Sequence, residues 1–345
     1  MDLTIAAILG LDGLTNGAIY ALVALALVLV FSVTRVIFIP QGEFVAFGAL
    51  TLASLQTGKV PGTVWLLLLM AVAAASLDLI QGLRERRPLR RVAVGLARAL
   101  GVPVALAVAV PLLLPRQPAL WLQVLLTLAI VTAMGPLLYR LAYRALSAAS
   151  VLTLLIVSVG VHFALTGLGL VFFGAEGYRT PAFWDARFDV GPLSLTGQTL
   201  IIFGASVALL VAMFFFFERT LTGKALRATS VNRTGARLMG ISGDAAGSLS
   251  FTMAAFIGAL SGLLISPSTT IYYDTGFLIG LKGFVAAVFG GLASFPVALS
   301  GAIGVGLIES FGSFYASAFK EVIVFTVILP VLLWRSFVDP HHEEH

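Results

Sequence analysis

The chain has 345 residues, of which 59% are hydrophobic and 11% are charged, and its mean hydropathy is +1.04. Soluble domains carry roughly 25% charged residues, so this composition excludes an ordinary soluble protein and favours one embedded in a lipid bilayer. The 21 Lys and Arg residues exceed the 16 Asp and Glu residues. In a membrane protein this excess is typical of cytoplasmic loops and does not indicate nucleic acid binding.

Eleven apolar runs follow one another along the chain, near residues 13–34, 42–57, 63–81, 92–114, 119–139, 151–174, 197–217, 246–266, 277–292, 297–316 and 321–337. Runs 42–57 and 277–292 are short and bounded by glycine, which favours re-entrant or broken helices over full spans. The sequence therefore predicts an all-α integral membrane protein, a polytopic bundle of about 9–11 transmembrane or re-entrant helices. We expect one membrane domain, 1–338, and a polar tail, 339–345.

Positive charge is concentrated on one side of the predicted spans. Loops 82–91, 140–150 and 218–245, together with Arg35 and Arg335, carry 14 Lys and Arg residues. The other side carries five, namely Lys59, Arg116, Arg179, Arg187 and Lys320. Because loops rich in Lys and Arg stay in the cytoplasm, we expect the N-terminus outside the cell and the C-terminus in the cytoplasm.

The longest polar stretch is the loop 218–245. Thr222 can cap a first short helix, and a second can run through Ala236 and Leu238 and end at Gly240. The pattern predicts two small amphipathic helices with basic residues outside and apolar residues inside. Such helices indicate a membrane surface or the groove of a partner protein. The alternative is a loop that is basic only because it stays in the cytoplasm.

Polar side chains inside apolar runs are candidates for function, because burying them in lipid is costly. Glu309 can line a pathway or pair with another helix, and both interpretations stay open. Gln41, Gly42 and Glu43 begin a short run, where they can meet a solute or simply cap a helix at the membrane edge. For Lys282 we expect a side chain that extends towards the membrane surface.

The remaining polar residues give no sign of an enzyme. His162 lies alone in an apolar run, where we expect a hydrogen bond to another helix and not a proton relay. Asp78 precedes the loop 82–91, whose arginines we expect it to pair with. The sequence predicts no catalytic residue, and the histidines of 339–345 are interpreted as a solvated end and not as a metal site. Since Lys224 lacks the Gly-rich context and the hydroxyl of a P-loop, the chain cannot hydrolyse ATP itself.

Seven segments spread over most of the chain carry recognisable motifs in a consistent order: 16–22, 143–146, 152–160, 222–228, 235–241, 282–298 and 306–309. Together they resemble the branched-chain amino-acid ABC permease family. The stretch after the first span differs, because residues 38–43 lack the family's Asn and His, which leaves room for amides, ureas or aromatic acids as substrates. Residues 83–118 look like an insertion that adds a basic loop and one further hairpin.

The resemblance implies a permease subunit of an ATP-driven importer in the bacterial inner membrane, moving branched-chain amino acids or a related small apolar solute inward. It implies a second permease subunit, two cytoplasmic ATPase subunits that use ATP, and an extracytoplasmic solute-binding protein, with no cofactor on this chain. The substrate-pathway residues are expected to be Gln41, Gly42, Glu43, Lys282 and Glu309. The residues expected to couple to the ATPases are Thr222, Gly223, Lys224, Arg227, Gly235, Ala236, Arg237, Leu238 and Gly240.

Two other classes of function are weighed against this interpretation. An ion-coupled secondary transporter of a small organic solute needs intramembrane acids poised for Na⁺ or H⁺, and few acids lie inside the apolar runs. A membrane-embedded enzyme needs a polar catalytic cluster, and His162 has no recognisable partner in the sequence.

Overall fold

A computed structural model describes residues 3–85, 88–116, 118–191, 193–327, 329–331 and 333. Its helices are α1 Leu3–Thr34, α2 Gln41–Gln56, α3 Gly62–Arg84, α4 Leu89–Leu113, α5 Leu120–Leu138, α6 Val151–Phe173, α7 Gly197–Arg219, α8 Leu221–Val231, α9 Arg233–Leu238, α10 Gly243–Ile265, α11 Thr275–Phe289, α12 Phe295–Tyr315 and α13 Lys320–Thr326. Two antiparallel strands, β1 Arg187–Val190 and β2 Leu193–Thr196, form a hairpin between α6 and α7.

Eight helices in the described part of the chain are long and apolar enough to cross a membrane: α1, α3, α4, α5, α6, α7, α10 and α12. The short helices α2 and α11 lie between them with 16 and 15 residues. At 1.5 Å per residue they are roughly 22–24 Å long, less than the roughly 30 Å of a bilayer's hydrocarbon core. The predicted all-α membrane bundle, with two short helices, is confirmed.

The short helices occupy equivalent places in two similar segments. In each, a long helix leads through an irregular stretch, 35–40 or 266–274, into a short helix, and a connection of five residues, 57–61 or 290–294, leads to the next long helix. The N-terminal ends of α2 and α11 meet, while α2 packs mainly on α10 and α11 on α12 and α1. Broken helices at corresponding places in two halves often mark the substrate site of a transporter.

The core of the bundle is built on α1 and α2. Residues 19–30 of α1 and 41–55 of α2 are all buried. Helices α1 and α12 run antiparallel in close contact, with Gly13 beside Leu307 and Gly17 beside Ile303. Polar groups of α2 are therefore enclosed by protein and do not face lipid.

Two boundaries differ from the sequence prediction. The first helix begins at Leu3, ten residues before the predicted run, because residues 3–12 continue the helix with largely exposed or half-buried side chains. Within 83–118, the described residues are the end of α3, one long helix, α4, and a short 3₁₀ turn, so the segment supplies one helix, which packs on α3, where a further hairpin was expected. Arg86, Arg87, Arg335 and the tail 339–345 lie outside the described residues.

Candidate functional site

The N-terminal ends of α2 and α11 pack backbone against backbone at Gly42. A Cβ atom on Gly42 would overlap the carbonyl oxygen of Gly276, and it would lie 3.0 Å from the nitrogen of Gly280. Real Cβ atoms do not approach other atoms so closely, so this contact requires glycine. Gly42, expected in the substrate pathway, therefore occupies a packing position between the two short helices.

Gln41 and Glu43 point into the protein at this same end of α2, with exposed fractions of 0% and 1%. Gln41 Nε2 donates a hydrogen bond of 3.0 Å to the carbonyl oxygen of Ala254. The helix-cap alternative is wrong for both residues, because the N-cap is Pro40 and no side chain caps α2. Gln41 Oε1 and Glu43 Oε2 are buried and have no hydrogen-bond partner among the described residues.

His162 of α6 is the partner of Glu43. Its Nδ1 lies 2.6 Å from Glu43 Oε1, and its ring packs 4.6 Å from the ring of Phe277 on α11, centroid to centroid. The expected hydrogen bond from His162 to another helix is confirmed. The contact joins α2, α6 and α11 around the junction at Gly42, and Phe277 belongs to it although no sequence pattern indicates that.

A second buried polar group surrounds Lys282. Its Nζ donates to Glu309 Oε1 at 2.5 Å and to Glu321 Oε1 at 3.2 Å, and the Tyr20 hydroxyl donates to Glu309 Oε2 at 2.5 Å. Lys282 is 5% exposed, so its expected extension towards the membrane surface is wrong, since two carboxylates from other helices hold it inside. Glu309 pairs with other helices, one of the two alternatives left open for it.

Asp78 forms an ion pair with Arg140 of the turn after α5. Sequence proximity did not indicate this partner, which helix packing supplies: α3 packs on α5, and both bring their ends to the same side. The expected pairing with the arginines of the loop 82–91 stays a prediction, because Arg86 and Arg87 lie outside the described residues. Among the described residues, no group of three or more His, Asp or Glu side chains is arranged to hold a metal ion.

The two short helices predicted in the loop 218–245 are present as α8 and α9. Thr220 Oγ1 caps α8 by accepting from the Gly223 nitrogen at 3.0 Å, so the predicted cap at Thr222 is wrong by two residues. Asn232 Oδ1 caps α9 by accepting from the Gly235 nitrogen at 2.8 Å. Gly240 follows α9 with a positive φ of 83°, as expected of the residue that ends the helix.

The apolar residues of α8 and α9 do not all face inward as predicted. Leu226 and Ala236 are buried, but Val231, Leu238 and Met239 are 82%, 83% and 82% exposed. Helices this short cannot bury both faces. A groove of about 450 Å³ lies between them, lined by Lys224, Arg227, Ala228, Val231, Asn232, Gly235, Ala236, Met239 and Ile241.

The remaining residues expected to couple to an ATPase fall into two groups. Gly223 is buried, because a Cβ there would overlap the carbonyl oxygen of Phe216 where α8 folds back on α7. The exposed ones are Thr222, Lys224, Arg227, Arg237, Leu238 and Gly240. Large apolar side chains standing exposed among basic ones are typical of a protein-binding surface.

Comparison with known proteins agrees with this architecture. Residues 91–332 match the family described as branched-chain amino acid transport system / permease component. The high-affinity branched-chain amino acid transport system permease protein BraD of Pseudomonas aeruginosa is 25% identical over 338 residues, 94% of this chain and 92% of BraD. LivH of Escherichia coli, a permease protein of the same kind of system, is 29% identical over 213 residues, 60% of this chain and 69% of LivH.

One solved structure, PsaBC from Streptococcus pneumoniae in complex with Fab, aligns with 95% of this chain and 90% of that chain at a TM-score of 0.40 and 12% identity, too low to support an inference. The family match spans more than half of the chain, and the helices form a multi-pass membrane bundle. The chain belongs to the family of branched-chain amino acid transport system permease components, the membrane part of a multi-subunit transporter.

Proposed function

We propose that this chain is a permease subunit of an ATP-driven importer in the bacterial inner membrane, and that it moves branched-chain amino acids or a related small apolar solute inward. The observation that carries the proposal is the groove of α8 and α9, where Val231 and Met239 stand exposed beside Lys224 and Arg227. A loop that is basic only for topology has no need of two capped helices with exposed apolar side chains.

The groove is proposed as the docking site of a cytoplasmic ATPase subunit. Leu226 and Ala236 anchor the two helices to the bundle from inside, and α8 contacts α1, α7 and α10. A movement of the groove is therefore transmitted to α1, α7 and α10 through direct contacts. ATP can drive transport only if its binding favours one conformation of the permease, and these contacts can carry that difference in free energy.

The proposed substrate pathway runs along the exposed face of α11. The irregular stretch 266–274 leads into α11 and exposes Thr269, Tyr272 and Asp274. Irregular backbone at membrane depth is stable only beside protein or a water-filled cavity. The start of α11 is therefore expected to face water or a second permease subunit, and not lipid.

The side chains on this face suit an apolar solute. Phe277, Leu278, Leu281 and Phe284 are exposed or half-buried, and a small crevice beside them reaches Ile39 in the irregular stretch before α2. Gln41 and Glu43 lie behind this face and are buried. We infer that they hold the junction in shape, while most selectivity belongs to a separate solute-binding protein.

The test is co-purification of the tagged chain with its ATPase, combined with uptake of radiolabelled leucine in cells that lack other leucine carriers. Val231→Asp and Met239→Asp place charge in the groove and are expected to abolish both. Leu221→Asp is the matched control, because Leu221 is 86% exposed at the start of α8 and does not line the groove. Normal association and uptake in the groove variants would show that the loop only sets topology.

A further inference from the structure

A large cavity lies between α4, α5 and α10, apart from both the α2–α11 junction and the α8–α9 groove. It has a volume of about 560 Å³ and is lined by Ala99, Val102, Pro103, Ala133, Pro136, Leu137, Tyr139, Arg140, Arg144, Ser242, Asp244, Ala245 and Ser248. The end of α5 and the turns after it form its floor, since the lining residues 133, 136, 137, 140 and 144 recur at helical spacing. Helices α4 and α10 form its walls.

The lining changes from apolar to charged along the helix axes. On the floor, Ala133 and Leu137 are followed towards the end of the span by Arg140 and Arg144. On α4, the lining residues whose side chains the structure describes are Ala99, Val102 and Pro103. The cavity therefore has an apolar part at membrane depth and a charged rim at the end that carries α8 and α9.

The rim has a surplus of positive charge. Arg140 pairs with Asp78, and Arg144 Nε lies 3.0 Å from Asp244 Oδ2. Arg233 and Arg237 line an adjoining cleft together with Tyr139 and Asp244, and neither forms an ion pair within the part of the chain that the structure describes. Among the described residues, these four arginines lie near two aspartates, Asp78 and Asp244, which leaves a surplus of two positive charges. Arg140 and Arg144 are the two that line the cavity itself.

Two of these arginines are incompletely compensated. Arg140 Nε is buried and has no hydrogen-bond partner among the described residues. Burial, followed by repulsion from Arg237 and Arg35, lowers the pKa of Arg233 below its ordinary value. An anion at the rim would offset this repulsion and would supply an acceptor for the unused donors.

We propose that the cavity binds one anionic glycerophospholipid, with an acyl chain against Ala133 and Leu137 and the phosphate group at Arg140 and Arg144. Binding pockets for small molecules usually have volumes of roughly 300–1,000 Å³, and basic pockets between transmembrane helices are known to take anionic headgroups. A free phosphate ion would use only the rim and leave the apolar part unfilled. The two-part lining therefore favours a lipid as the source of the phosphate.

The experiment is native mass spectrometry of the full-length protein after equilibration with mixed phosphatidylglycerol and phosphatidylcholine. One phosphatidylglycerol per chain is expected to survive activation that removes all phosphatidylcholine. Arg144→Gln removes one positive charge from the rim. Ala133→Phe fills the apolar part of the cavity and leaves its charged residues unchanged. Each is expected to lower the retained fraction at least fivefold.

The controls are Arg219→Gln, which removes an exposed arginine at the end of α7, and Ala208→Phe, which adds a ring on the exposed side of α7. Both are expected to retain the lipid as the unmodified protein does. Equal loss in controls and cavity variants would mean general lipid coating and would overturn the proposal, as would unchanged retention in Ala133→Phe. Inorganic phosphate and chloride are also compared as competitors. If phosphate displaces the lipid at one tenth of the chloride concentration that does so, the rim is a site for free phosphate and the lipid proposal is overturned.

Discussion

Glu43, Lys282 and Glu309 each meet a group of opposite or complementary charge from a helix distant in sequence. A buried ion pair contributes little net stability, because desolvation of both charges offsets their attraction. Losing one partner is different, because it leaves a charge in a low-dielectric interior without compensation. These contacts therefore specify which helices pack together more than they stabilise the bundle.

Replacing either member of the Glu43–His162 pair is expected to destabilise the protein by about 3 kcal/mol, since one polar group is left buried without its partner. Changing both at once, Glu43→Leu with His162→Leu, is expected to cost less than the sum of the single changes. Thermal unfolding in detergent measures all three variants. Strictly additive losses would show that the two side chains do not depend on each other.

Lys282→Met is expected to be much more damaging than Glu321→Gln. Without Lys282, Glu309 and Glu321 approach each other with no cation between them, whereas loss of the Glu321 charge leaves the 2.5 Å contact of Lys282 with Glu309 in place. Expression level and monodispersity in detergent give the comparison. If the two variants behave alike, Lys282 is not the residue that holds Glu309 and Glu321 together.

Sequence patterns singled out these polar residues but not their partners. Glu43, His162, Lys282 and Glu309 stand out because charge is rare in apolar runs. Their pairing depends on how helices 27 to 119 residues apart pack together, and periodicity contains no such information. Tyr20 gave no signal, because one tyrosine in an apolar helix is ordinary.

The junction of α2 and α11 is the element that most limits the geometry of the bundle. Two helix ends approach through glycine, and the neighbouring turns bring Glu43 on one helix and Phe277 on the other to His162. The packing of the junction and the position of the exposed α11 face are therefore linked. A shift between α2 and α11 would change both.

Gly42→Ala is expected to disrupt this junction and lower the midpoint of thermal unfolding, since forcing an extra methyl group into a packed contact costs about 1–3 kcal/mol or more. Gly160→Ala is the matched control, because Gly160 also lies in a helix but a Cβ there would have no atom within 4 Å. It is expected to be neutral or slightly stabilising. If the two variants unfold alike, the close contact at Gly42 is not a constraint in solution.

At the scale of secondary-structure elements, the sequence predicted which helices are present better than it predicted the residues at which they begin and end. The short runs bounded by glycine correspond to α2 and α11, and the two short helices of the loop 218–245 are present. The cap of α8 was misplaced because Thr220 and Thr222 both suit an N-cap by residue type, and only the extended backbone at Thr220 decides between them. The exposure of Met239 could not be predicted without knowing that the bundle contacts only one face of α9.

For the whole molecule, the distribution of Lys and Arg residues and the positions of the helix ends agree with one orientation in the membrane. The turns after α5, the end of α7, and helices α8 and α9 all lie at the end of the bundle that contains Arg140, Arg144, Arg233 and Arg237. The β-hairpin between α6 and α7 lies at the opposite ends of those helices. This agreement supports the proposed orientation, with α8 and α9 in the cytoplasm and the hairpin outside.

Single cysteines test this orientation without interference, because the chain contains no cysteine of its own. Thr222 on α8 and Asp185 just before β1 are both exposed, so a thiol at either position is open to reagent from its own side of the membrane. In sealed cells, an impermeant maleimide is expected to label Asp185→Cys and to leave Thr222→Cys unlabelled. After permeabilisation both are expected to react to a similar extent, which controls for intrinsic reactivity. Labelling of Thr222→Cys in sealed cells would reverse the orientation, and with it the proposed docking of an ATPase at Val231 and Met239.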